Sequence, residues 1–202
     1  LEQIDSPDVI GVGVVGSYAR GQESKYSDVD MDIYVNTLPE NIYDRYTLRY
    51  VDEKLVSLKY TLFDDERSAL VNPRRAIWAI PGLCGMTILV DKDGSLTGLQ
   101  HAAQQFDWST LQPAADEFAA EEVMGSAEEA HKILNGLASE RESMVLYATW
   151  GLVKNMLEAV AVQRGLMIIS ENYYFDLIQD SMGRDSEWTR AFRTAWGLDS
   201  SA

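Results

Sequence analysis

Gly16-Ser17-Tyr18-Ala19-Arg20-Gly21, followed across a polar loop by Ser27-Asp28-Val29-Asp30-Met31-Asp32-Ile33-Tyr34-Val35, is the stretch that decides the fold. The run before it, Val9-Ile10-Gly11-Val12-Gly13-Val14-Val15, is apolar and β-branched and reads as a strand. The Gly-Ser pair turns the chain, and a second strand follows the loop. Along that strand Val29, Met31, Ile33 and Val35 face one way, and Asp28, Asp30 and Asp32 the other. Carboxylates in a row on one face repel each other until water or a cation neutralises them. An oxygen-only cluster suits Mg²⁺, which takes one or two carboxylates and completes its shell with water and phosphate oxygens. The Gly-Ser turn offers a phosphate a backbone that allows close approach, with N–H groups and a hydroxyl.

Outward from this stretch the chain reads as two parts. Residues 41–54 are polar and aromatic and read as a surface helix after the turn at Leu38-Pro39. Leu55 to Phe63 alternates and reads as a third strand, with Ser57, Lys59 and Thr61 on its polar face. Asp64-Asp65-Glu66-Arg67 reads as a turn and Asn72-Pro73 as a break. Gly85 to Val90 is a fourth strand, ended by Asp91-Lys92-Asp93-Gly94. Beyond Ser95 the pattern is helical throughout. A linker is expected at 108–113, long amphipathic helices at 114–135 and 139–164, a helix start capped by Ser170, and a last helix from Ser186 to Ala195. The fold class is therefore α+β: a small mixed-sheet domain over 1–107, then an all-helical domain over 108–202.

The Gly16-Ser17 pair with Ser27-Asp28-Val29-Asp30 at this spacing resembles the signature of the polymerase-beta-like nucleotidyltransferase superfamily. The Ala19-Arg20-Gly21 continuation is similar to its small bacterial branch, which holds antibiotic nucleotidyltransferases and small antitoxins. The resemblance implies a catalytic sheet domain and a helical substrate-binding domain, with substrate between them. It implies a nucleoside triphosphate, ATP or another, over Gly16 and Ser17, with Arg20, Ser27 and Lys154 as further nucleotide-binding residues. Asp28 and Asp30 would hold Mg²⁺. Asp32 reads either as a third ligand or as a solvated neighbour. The third carboxylate that many relatives carry on the adjoining strand is missing, since no acid precedes Asp64 there. Glu158, on the otherwise apolar stretch Val145 to Val162, reads either as the general base or as the partner of Lys154 in an ion pair. Glu140 and Glu142 are alternatives for the base.

Composition narrows the partner. The chain has 202 residues and a formal net charge of −15. Both halves are acidic, and no basic stripe offers itself to a polyanion, which argues against a nucleic-acid partner. An acidic cleft favours a small, cationic acceptor such as an aminoglycoside. A homodimer is compatible with the resemblance. The alternatives are an antitoxin that binds and nucleotidylates a helical toxin, and a non-catalytic nucleotide-binding protein. No apolar stretch is long enough to span a membrane, and no secretory signal is visible, so a cytoplasmic location is expected. The sequence begins one short segment before the first strand, so an N-terminal helix of the longer protein is expected to be missing from it. Cys84, the single cysteine, reads as a buried thiol. His101 and His131 lie in unrelated helical contexts and suggest no site. Tyr173, Tyr174, Trp188 and Trp196 are expected to pack the helical domain.

Overall fold

The computed structural model describes residues 6–198 and divides the chain into two compact units, Leu1–Asp107 and Trp108–Ala202. In the first unit β1 (Val9–Val15) leads through a single helical turn, α1 (Gly16–Ala19), and a loop into β2 (Val29–Val35). The next segment is not the expected surface helix. A 3₁₀ turn at Ile42–Asp44 is followed by β3 (Tyr46–Val51), which forms a hairpin with β4 (Lys54–Leu62). Tyr46, Thr47, Tyr50 and Val51 are aromatic or β-branched, which suits a strand. The connection is the two residues Asp52 and Glu53, both left-handed at φ 46° and 63°. That is the backbone of the tight turn whose twist matches a β-hairpin.

The expected turn at 64–67 is also helical: α2 runs Phe63–Ala69. Its three acids Asp64, Asp65 and Glu66 lie in the first turn, where the N-terminal N–H groups favour negative charge. The break at Asn72-Pro73 begins α3 (Pro73–Cys84): Asn72 caps it by accepting from the Arg75 N–H, and Pro73 sits where no N–H is required. β5 (Thr87–Asp91) and α4 (Ser95–Gln104) complete the unit. The strand order is β3-β4-β2-β1-β5, with β2 and β4 parallel and every other pair antiparallel. The mixed sheet is as expected, with one more strand.

One face of the sheet carries an apolar cluster of Val9, Val12, Ile33 and Val35, packed by Met31, Leu38, Tyr60, Leu62 and Val90. On the other face Met86 lies directly over Gly13, where a Cβ would meet its sulfur at 2.2 Å. Ala76, Ile77, Ile80 and Leu83 form the buried stripe of α3. Cys84 follows Leu83 by about 100° around the helix and is exposed, contrary to the expectation of a buried thiol.

In the second unit Trp108–Thr110 is a 3₁₀ turn and Leu111 is buried, so the expected linker is structured. The Trp108 indole donates to Gln112 at 3.1 Å. Two long helices, α5 (Gln112–Ala138) and α6 (Glu142–Gln163), form an antiparallel hairpin. Gln112 donates to the Gln163 carbonyl at 2.9 Å, and Gln163 donates to Asp116 at 3.1 Å, tying the start of α5 to the end of α6. Ser170 caps a 3₁₀ turn that leads into α7 (Tyr174–Met182), and Ser186 caps α8 (Glu187–Ala195). Phe175 meets Phe192 and Trp196 edge-on at 5.4 and 5.6 Å, and Trp188 stacks on Phe192 at 5.6 Å. Tyr174 joins this cluster through Phe175, but Tyr173 is 64% exposed and does not pack it. No helix among the described residues is long and apolar enough to cross a membrane.

The turn chemistry of the hairpin yields a prediction. A non-glycine residue in the left-handed region costs about 1–2 kcal/mol, partly offset by the unfolded-chain entropy of glycine. Glu53→Gly is expected to raise stability by up to about 1 kcal/mol, read as a shift of the urea midpoint at unchanged slope.

Candidate active site

Asp30 is held from both sides. It lies opposite Val15 on β1 and Ser57 on β4. Ser57 is buried and donates its hydroxyl to Asp30 Oδ1 at 2.7 Å. Asp30 Oδ2 lies against Gly16, where a Cβ would stand 2.5 Å from it. Gly16 also has φ +71°, so position 16 calls for glycine on both steric and conformational grounds. The turn and the acidic strand are thus in contact.

Around this contact charge is crowded. Burial raises the Asp30 pKa above the carboxylate range; the Ser57 hydrogen bond and Arg20 pull it down, and Asp28 pushes it up. Arg20 therefore faces the acidic pair, with its Nε donating to Gln22 at 3.3 Å. The Ser17 carbonyl accepts from the N–H groups of Arg20 and Gln22, which closes the turn. Ser27 closes a second turn by accepting from the Ser24 N–H at 2.8 Å, immediately before Asp28. Asp32 lies opposite Lys59 on β4. Burial raises its pKa, Lys59 opposes this, and Asp30 adds to it. Glu66 on α2 comes to the same place: burial and Asp32 raise its pKa, while Lys59 and Arg75 lower it. Tyr34, 2% exposed, has its hydroxyl pushed up by burial and by the charges of Asp32 and Glu66.

Gly16, Ser17, Arg20, Ser27, Asp28, Asp30 and Asp32 therefore share one neighbourhood in the first unit. Glu158 and Lys154 belong to α6 in the second. Glu158 is half-buried and its charge raises the pKa of Tyr174, whose burial raises it more. Lys154 is exposed, with its ammonium 5.7 Å from the Trp150 ring centroid. Among the described residues no group of three or more His, Cys, Asp or Glu is gathered as a metal site. The hard-oxygen pair Asp28 and Asp30 nonetheless fits Mg²⁺, which needs only one or two carboxylates. Burial first, and the neighbouring Asp28 to a lesser degree, raise the pKa of Asp30, and a cation would relieve both.

Residues 1–80 match the family model of the nucleotidyltransferase domain. The match spans β1 through most of α3 and includes Gly16, Asp28, Asp30 and Ser57. A solved nucleotidyltransferase-like protein from Exiguobacterium sibiricum shares the fold, with a TM-score of 0.51 at 14% identity. That likeness covers 96% of this chain and 68% of the other. No curated protein matches the chain. Residues 1–80 of the first unit are thus similar to a nucleotidyltransferase domain. The antibiotic branch is not distinguished by these likenesses.

Two members of the site's surroundings were not apparent in the sequence. Ser57 was visible on the polar face of its strand, but its bond to Asp30 depends on the parallel register of β2 and β4. Glu66 was hidden because its segment reads as a turn; the acids at the start of α2 were the available signal.

Two predictions follow from this geometry. Ser57→Ala removes the donor that orients Asp30, and is expected to lower Mg²⁺ affinity by about ten- to a hundredfold, read by titration calorimetry. Glu66 binds its proton more tightly folded than unfolded, so its contribution to stability is lost as pH rises through its folded pKa. Glu66→Gln should raise the thermal midpoint at pH 7.5 and narrow the difference between melts at about pH 5 and 7.5. An unchanged difference would remove Glu66 from the account.

Proposed function

We propose that the protein transfers a nucleoside monophosphate, AMP first among the candidates, from a nucleoside triphosphate to a hydroxyl of a small cationic acceptor of aminoglycoside type. The observation that carries this reading is the contact of Gly16 with Asp30 inside the region similar to a nucleotidyltransferase domain. It joins a close-approach turn suited to phosphates to carboxylates suited to a hard cation. The excess of acids, 32 against 17 basic residues, supports a cationic acceptor, because it steers such a molecule toward the site.

Asp28 and Asp30 are the residues that would hold Mg²⁺, which when bound offsets charge on the phosphates and on the leaving pyrophosphate. Ser57 and Gly16 fix the Asp30 carboxylate between them. The backbone of Gly16 and Ser17 receives the triphosphate, Arg20 adds positive charge, and Ser27 shapes the entry to Asp28. In the transfer, the acceptor hydroxyl oxygen bonds to the α-phosphorus as the bond from that phosphorus to the α–β bridging oxygen breaks. Pyrophosphate leaves with the electron pair, and the hydroxyl proton passes to a base. Glu158 is our candidate for the base and Lys154 for a further phosphate contact, on the strength of their chemistry and of the half-buried carboxylate.

Pyrophosphate release tests the reading. With Mg²⁺, each nucleoside triphosphate and a panel of aminoglycosides and other hydroxylated amines, release is expected only when an acceptor is present. Asp28→Asn and Asp30→Asn should each lower it by about a hundredfold or more. Release that is indifferent to both substitutions would sink the proposed site.

A further inference from the structure

We propose that Lys54 is a triphosphate-binding residue of this site, held in readiness by Tyr18; the inference rests on the functional reading above. The placement comes from register. Val15 lies opposite Asp30 and Asp30 opposite Ser57, so the end of β1 and the starts of β2 and β4 meet at one end of the sheet. Lys54 is the first residue of β4 at that end, about 10 Å along the strand from Ser57. Its ammonium stands 5.6 Å from the centroid of the Tyr18 ring. Tyr18 immediately follows Ser17 in the turn assigned to the phosphates.

The backbone of Lys54 is fixed and its head group is not. Lys54 pairs with Val51 across the tight turn of Asp52 and Glu53, which anchors its Cα. The side chain is exposed, and its ring contact is weak in such a setting. The ammonium can therefore exchange an aromatic face for phosphate oxygens without leaving a buried partner behind. Tyr18 shifts the pKa of the ammonium upward from the ordinary lysine value, so it remains charged.

The need for such a cation is electrostatic. A triphosphate arriving here adds several negative charges beside Asp28 and Asp30, more than one divalent ion offsets. Arg20 lies within electrostatic reach of Asp30, and Lys59 within that of Asp32 and Glu66, so each cation already has a carboxylate near it. The main neighbour of the Lys54 ammonium is the Tyr18 side chain, with Glu23 a lesser influence.

Calorimetric titration of the full chain with Mg²⁺-ATP, and separately with AMP, tests this. Lys54→Met is expected to weaken Mg²⁺-ATP binding roughly tenfold while moving AMP binding less than about twofold. Lys54→Arg, which keeps the charge, should recover most of the loss. A Lys54→Met protein with a lowered thermal midpoint but wild-type affinity for Mg²⁺-ATP would assign the residue to pinning the Tyr18 turn and overturn the inference alone. Equal weakening for ATP and AMP would overturn it too. A wild-type protein that binds no Mg²⁺-ATP would overturn the functional reading, and this inference with it.

Discussion

The confinement of one carboxylate governs the arrangement of the first unit. Asp30 has a hydroxyl on one oxygen and a backbone without a side chain against the other. For both contacts to exist, β1 and β4 must flank β2 in fixed registers, and the chain must turn at Gly16 with a left-handed backbone. A one-residue slip of β4 would turn Ser57 to the opposite face and put an apolar neighbour, Val56 or Leu58, beside the carboxylate. The geometry of the site and the topology of the sheet are thus a single constraint.

The acidic face of β2 is graded along its length. At the open end Asp28 and Asp30 face Arg20. One step along, Asp32 is deeper and is compensated by Lys59, with Glu66 and Arg75 brought in by α2 and α3. Beyond that Tyr34 is buried. Charge is therefore left least compensated where a ligand can reach it, and offset by protein cations where helices cover the sheet. A row of like charges that would be costly in a fully covered sheet becomes affordable because only part of it is covered.

Four of the strands were legible because β-branched residues and alternation leave a local trace, and Gly16, Asp28 and Asp30 stood out because their spacing brackets a turn. The hairpin was not legible because its turn uses Asp52 and Glu53 in place of the glycine that usually marks left-handed backbone, and the polar and aromatic content of 41–54 also fits a helix surface. The helix α3 was hidden because Asn72-Pro73 serves equally as a break and as a cap followed by a first-turn proline. Tyr173 and Tyr174 are adjacent and chemically identical, yet only one packs; which one does is set by the phase of α7, which no local signal fixes. The contacts that define the site, Asp30 with Ser57 and Tyr18 with Lys54, join residues far apart in sequence and appear only once the strands are in register.

The hairpin strand β3 forms one border of the sheet, with the other side of its backbone outside the ladder. Tyr46, Leu48 and Tyr50 on it are 54%, 53% and 79% exposed. Unpaired peptide groups beside apolar side chains are a template for strand addition by another chain, the first step toward aggregation. Against this the strand is short, Arg49 interrupts its apolar run, and Asp52, Glu53 and Lys54 crowd its end with charge. The net charge of −15 adds long-range repulsion between copies. That repulsion weakens as salt rises or pH falls, so the colloidal behaviour of this protein is tied to the same acidity that draws cations to its surface.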